Sequence, residues 1–188
     1  GDGSEQPTLY LGSIFDAPSQ MHLDSGMPVE MPEAQTTEAD CPNCGASLPI
    51  LSQASERVVC QYCGTASDIT SGHLAALGPS PRPPIQPYLP IGARGNLRGM
   101  EMVVTGFVIR SCIVEGVRYS WREYLLFGGD SIGYRWLMEE DGKWTYVEPL
   151  EVGDIQDSGN AAMFRGAMYG FKQSVTATVD FVVGEFYW

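Results

Sequence analysis

Lysine and arginine are scarce in this chain: 11 stand against 23 acidic residues in 188, a formal charge of -12, and none falls within residues 1–40. Affinity for nucleic acid rests largely on Lys and Arg neutralising phosphates, and no stretch offers that footprint. Long apolar runs are missing as well. Those present fall far short of the roughly 18–20 residues that a bilayer-spanning helix needs, and no basic-then-apolar leader opens the chain. A cytoplasmic protein without a membrane span is therefore expected. Catalytic signatures are also lacking: there is no GxSxG, P-loop, Rossmann fingerprint or HExxH, and the only histidines are His22 and His73. An enzyme is hard to argue. Charged residues reach only 18%, which with 22 glycines and 13 prolines excludes a coiled coil and favours a loop-rich, mainly β protein.

What is present divides the chain into four stretches. Residues 1–40 carry eight acids and no base and end in a Met/Pro/Glu-rich run, so they read as an acidic tail or linker with too little apolar surface to offset its ordering entropy. One apolar cluster interrupts it: Leu9, Tyr10, Leu11, Ile14 and Phe15. Residues 41–73 are set apart by cysteines. Residues 74–90 form a Pro-rich linker, with six prolines between Pro79 and Pro90, a composition suited to an extended spacer. From residue 91 to 188 short β-branched and aromatic runs alternate with glycine. Candidate strands are Met100–Val114, Val117–Phe127, 133–139, Lys143–Leu150 and 171–186. Pairs such as Glu115 with Gly116 and Asp141 with Gly142 supply hairpin turns between them. The expected architecture is a small zinc ribbon plus an antiparallel meander that curls into a half-open barrel or packs as a sandwich-like domain.

The most specific signal is the cysteine spacing. Cys41 with Cys44 and Cys60 with Cys63 form two CxxC pairs, each followed by glycine, with fifteen residues between the pairs. Each pair can place two sulfurs on one side of a tight knuckle, and two knuckles close a tetrahedral site. Zinc, one per chain, is the default occupant, with iron the alternative that uses the same ligands. Four protein ligands leave no open position, so the role expected is structural. Cys112 stands apart on an apolar strand and reads as a buried small hydrophobe.

The β-domain offers one further constellation. Strand alternation puts Tyr119, Trp121, Glu123, Leu125 and Phe127 on one face, and Glu123 therefore lies among aromatics. A carboxylate there must either hold its proton more tightly or accept hydrogen bonds from a donor such as Arg, Tyr or Trp. Arg122 and Arg135 are the candidate partners for Glu123 or Glu139. Two readings stay open. Trp121, Glu123, Arg135 and Trp136 line a groove for a ligand or partner, or Glu123 is an internal carboxylate that pins a strand.

Several blocks have a familiar pattern: residues 91–99 and 104–110, the run Trp121, Glu123, Tyr124, Leu125 and Leu126, the run Gly133, Tyr134, Arg135, Trp136 and Leu137, and residues 184–188. Over roughly residues 41–188 the chain resembles a bacterial family known as domain of unknown function 4178, whose members often carry a CxxC zinc ribbon ahead of the domain. The family pattern continues past residue 188 and the chain opens at Gly1 rather than Met, so a fragment of a longer protein is expected. The resemblance implies no catalytic residues. It implies an accessory factor in a bacterial cytoplasmic assembly, with membrane association only through a partner, while the closed four-cysteine site, the lack of a catalytic set and the expected missing C-terminal segment point to a non-enzymatic interaction module with a protein partner. The alternatives are a small-ligand-binding or catalytic domain that uses Glu123, and a nucleic-acid-binding ribbon, which the net charge of -1 over residues 41–73 disfavours.

Overall fold

The computed structural model describes residues 9–15, 21–23, 37–70, 73–80, 86–150, 152–157 and 159–187. The stretch read as an acidic tail contributes three strands, β1 (Leu9–Phe15), β2 (Met21–Leu23) and β3 (Thr37–Asp40). The cysteine-bearing stretch supplies β4 (Ser47–Ile50), β5 (Arg57–Val59) and β6 (Thr65–Thr70). β7 (His73–Pro79) follows, at the start of the stretch read as a linker. The larger domain continues with β8 (Arg94–Leu97), β9 (Met100–Val114), β10 (Val117–Phe127), β11 (Tyr134–Glu140) and β12 (Lys143–Leu150). A small meander of β13 (Ile155–Asp157), β14 (Ala161–Phe164) and β15 (Ala167–Gly170) leads to the final strand, β16 (Thr178–Phe186). No α-helix occurs among the described residues, and none of their helices is long and apolar enough to cross a membrane.

Local sequence explains the central meander. At the β9–β10 turn Glu115 and Gly116 take φ values of 51° and 81°, and at the β11–β12 turn Asp141 and Gly142 take 50° and 78°. Positive φ at both central residues is the hairpin geometry that matches strand twist. In the second turn the Gly142 amide also donates to Glu139 Oε1 at 2.8 Å.

β9 is the spine of the molecule. β10 runs along one edge, while β8 and β16 share the other, β8 opposite Met100–Val103 and β16 opposite Gly106–Ser111. β16 then pairs with β5 on its far side, so the sheet runs β1-β12-β11-β10-β9-β16-β5-β6-β7. The strands of the cysteine module thus extend the sheet of the larger domain. All the paired strands are antiparallel, and the sheet ends at β1 and β7 without closing into a barrel.

Apolar side chains pack on both faces. On one, Phe107, Ile109, Tyr124, Leu126, Leu137, Tyr146 and Phe181 form the main core, with Leu89 and Leu97 packed on them. The Tyr88 amide donates to Tyr124 Oη at 3.1 Å, which fastens the end of the Pro-rich stretch to this face. On the other face Val108, Leu125 and Phe186 are buried among Tyr134, Trp136, Val182 and Tyr187. Phe107 and Leu125 are completely buried, and burial of each such side chain contributes roughly 1.5–3 kcal/mol. A bulge where the register slips between Leu125 and Leu126 buries Thr105, whose hydroxyl donates to the Leu125 carbonyl.

Candidate metal centre

Each CxxC pair folds as a closed turn. The Gly45 amide donates to the Cys41 carbonyl at 2.9 Å, and the Gly64 amide donates to the Cys60 carbonyl at 2.8 Å. Both glycines sit at positive φ, 72° and 75°, a backbone shape that carries little penalty without a Cβ. The flanking bonds match as well: Cys41 N–H to Ala46 O and Cys60 N–H to Thr65 O, both at 2.9 Å. Two equivalent knuckles therefore stand at the ends of β4 and β5.

The knuckles bring all four sulfurs within 4.8 Å of one another. Cys41 and Cys63 Sγ are 3.6 Å apart and Cys44 and Cys60 Sγ 3.7 Å apart. A zinc–sulfur bond of about 2.3 Å in tetrahedral geometry places ligands about 3.8 Å apart. These separations fit a metal ion and are far too long for disulfides, and the cysteines are free thiols. The soft, four-thiol donor set suits a thiophilic cation. Cys41 and Cys60 are buried, Cys63 is half-buried and Cys44 faces solvent. Burial pushes the Cys60 thiol well up, while hydrogen bonding between Cys63 and Thr65, whose Oγ1 lies 3.2 Å from Sγ, draws the Cys63 thiol down. Among the described residues only these four cysteines make up the cluster, and exposed His73 is not part of it. Cys112 lies on β9, buried, opposite Tyr119.

The module around the site is small. Its buried apolar residues are Leu48, Ile50 and Val58, packed with Cys41 and Cys60 themselves. It is held to the β-domain by a residue that sequence reasoning did not single out, Glu185. This carboxylate is 2% exposed. Its Oε2 accepts the Leu51 amide at 2.7 Å, and its Oε1 accepts the Ser52 amide at 3.0 Å, the Ser55 hydroxyl and the Tyr134 hydroxyl at 3.2 Å. Glu56 N–H adds a bond to the Phe186 carbonyl at 2.9 Å. Only the presence of an acid within an apolar terminal strand hinted at such a role.

The second constellation is brought together in part. Leu125 pairs with Trp136, so Trp121, Glu123 and Trp136 share one face of the sheet. Arg135 does not join them, because it pairs with Leu126 and so points to the opposite face. Glu123 is held by Trp121 Nε1, which donates to Oε1 at 2.6 Å, and by Arg110 Nε, which donates to Oε2 at 2.8 Å. The partner is thus Arg110 of β9, not Arg122 or Arg135. Arg122 pairs instead with buried Glu139, and Arg135 donates to the Tyr134 carbonyl at 2.7 Å. Trp136 Nε1 donates to Tyr187 Oη at 3.2 Å. With both oxygens engaged by fixed donors, Glu123 has the surroundings of a pinned structural carboxylate.

No curated protein and no solved structure matches the chain. Residues 90–188 match the family model described as Domain of unknown function (DUF4178), and the cysteine module precedes the matched segment. That match takes in the whole central meander and the strand bearing Glu185, and the chain belongs to the DUF4178 family.

Proposed function

We propose that the chain is a non-enzymatic interaction module in which Cys41, Cys44, Cys60 and Cys63 hold one zinc ion as a structural element. The observation that carries this reading is the mutual approach of four thiols within 4.8 Å on two matched knuckles. Such an ion supplies folding free energy to a module whose own apolar core is too small to stand alone. The β-domain receives a protein partner on the face that bears Trp121. Along that face Val117, Tyr119 and Val179 are 54%, 47% and 47% exposed, a concentration of apolar surface typical of interaction sites. The setting proposed, a bacterial cytoplasmic assembly, rests on the family resemblance.

The catalytic alternative loses support because, among the described residues, the hydrogen-bond partners of Glu123 are Arg110 and Trp121, and neither is a second acid, a histidine or a metal ligand. The nucleic-acid alternative loses support on charge, since four thiolates around Zn²⁺ would add to the negative balance of residues 41–73.

Elemental analysis of the purified chain, paired with thermal melts with and without a chelator, tests the metal. About one zinc per chain and a chelator-sensitive melt are expected from a single closed site. Iron, or no metal at all, overturns it. Cross-linking mass spectrometry in cell extract tests the surface, and partner peptides linked everywhere except beside Tyr119 and Val179 would remove that face from the proposal.

A further inference from the structure

The metal module and the final strand of the β-domain are joined by contacts that neither can keep alone. β5, whose last residue Val59 directly precedes the ligand Cys60, pairs with β16 through Gly184–Val59, Glu185–Val58 and Phe186–Arg57. The loop between β4 and β5 supplies three of the four donors described around Glu185, namely the Leu51 and Ser52 amides and the Ser55 hydroxyl. Only Tyr134 comes from the β-domain. The same loop lies between the two knuckles in sequence, so the cysteine cluster fixes both of its ends.

Loss of order in the module would therefore leave a carboxylate at 2% exposure with most of its donors gone. A buried acid without donors is strongly disfavoured, and the low-energy response is for the strand that carries it to open to water. Opening there has a defined consequence. Phe186 covers Val108 and Leu125, and Tyr187 stacks on Tyr134 with ring centroids 4.7 Å apart and accepts a hydrogen bond from Trp136. Release of the end of β16 uncovers this aromatic patch on the face that also bears Trp121.

We propose that Glu185 makes closure of residues 184–187 over the β-domain depend on metal occupancy of the four-cysteine cluster, so that loss of a thiophilic divalent cation exposes the Val108, Leu125, Tyr134 and Trp136 patch. The inference rests on the metal-binding reading above and goes beyond it. There the ion stabilises its own module, whereas here its presence also sets which surface the β-domain displays.

Hydrogen-exchange mass spectrometry on the full chain, loaded with zinc or stripped by a chelator, tests it beside a direct zinc count. Stripping should speed exchange at residues 57–60 and 184–187 together, by about tenfold or more as loss of buried partners implies, while residues 143–150 keep their protection. Glu185→Gln should still bind zinc, with fast exchange at 184–187 whether or not zinc is present. Ser55→Ala, which removes one donor and keeps the carboxylate, should shift the same segment in the same direction and serves if Glu185→Gln does not fold. A chain that binds zinc but keeps 184–187 protected when stripped, or variants as protected as the parent, would overturn the coupling and leave the metal reading standing. A chain that never binds zinc would overturn the metal reading and the coupling with it.

Discussion

Gly184 and Gly106 lie directly opposite each other where β16 crosses from β9 to β5, and neither has room for a side chain. A Cβ on Gly184 would stand 2.2 Å from the Thr105 carbonyl oxygen, at a φ of +94°, and one on Gly106 would meet the Phe186 ring at 2.7 Å. The first obstacle is backbone and cannot swing aside. Gly184→Ala is expected to cost about 3 kcal/mol or more, from strain and displaced pairing together. Chemical denaturation checks it, and a loss below about 1 kcal/mol, within the range of ordinary substitutions, would contradict the close crossing.

Glu123→Gln keeps shape and removes charge. The side chains of Arg110 and Glu123 are 25% and 13% exposed, so the guanidinium would be left half-buried beside a neutral amide. A loss of about 1–3 kcal/mol is expected, with the fold retained. Urea midpoints measure it. A variant with unchanged stability but altered small-ligand binding would restore the catalytic or ligand-binding reading of Glu123.

Metal affinity should fall on acidification. Thiols bind metal only after giving up their protons, and burial makes the Cys60 proton hard to remove, so binding competes with protons and strengthens as pH rises. Competition with a chromophoric chelator at several pH values checks the sign. Cys60→Ser should abolish stoichiometric zinc, and Cys112→Ser should not.

Thr65 is predicted to tune the site without touching the ion. Its hydrogen bonding holds Cys63 toward the thiolate, and Thr65→Val removes the hydroxyl at nearly constant volume. Affinity should drop about tenfold, the lower range for loss of a group that supports a metal ligand. An isothermal titration that gives equal affinities would count against that role.

Alkali should loosen the fold through Tyr134. Its phenol is pushed up to about 12 by burial, from an ordinary value of 10.0. Between those values the unfolded chain sheds the proton while the folded chain keeps it. The unfolded state then binds fewer protons, so stability falls as pH rises through the window and is fully present below it. Tyr134→Phe should flatten the slope of stability against pH between about 10 and 12, as followed by denaturation midpoints.

Much of this architecture is legible in local sequence. β-branched and aromatic runs locate β9, β10 and β12 end to end, because hairpins joined by Glu115–Gly116 and Asp141–Gly142 need only neighbouring residues to form. The cysteine cluster is legible for the same reason, each knuckle being written in five consecutive residues. Strand periodicity also places Trp121 and Glu123 on one face. What local pattern does not carry is register. Arg110 reaches Glu123 because Trp121 lies opposite Arg110 and Glu123 opposite Val108, a relation set by the whole β9–β10 alignment. Arg135 fails to join Glu123 because its strand meets β10 with Leu126 opposite it. β1 was hidden by composition: residues 1–40 hold too little apolar surface to form a core, yet the backbone of Leu9–Phe15 completes the free edge of β12. The strand expected from residue 171 begins only at Thr178, where β9 offers Ser111 as a partner.

Ser52 and Glu185 are separated by 133 positions, and this spacing orders events during synthesis. The four cysteines leave the ribosome long before the strand that completes their support, so the two knuckles can capture metal while β10 to β15 are still being made. Docking waits for the end of the chain. Closing so long a loop is slow compared with zipping a hairpin, and until it closes the edges of β5 and β9 stay open to other strands. A nascent or shortened chain lacking β16 would carry a finished metal site and an unfinished sheet, a form prone to pair with its own kind before it can complete itself.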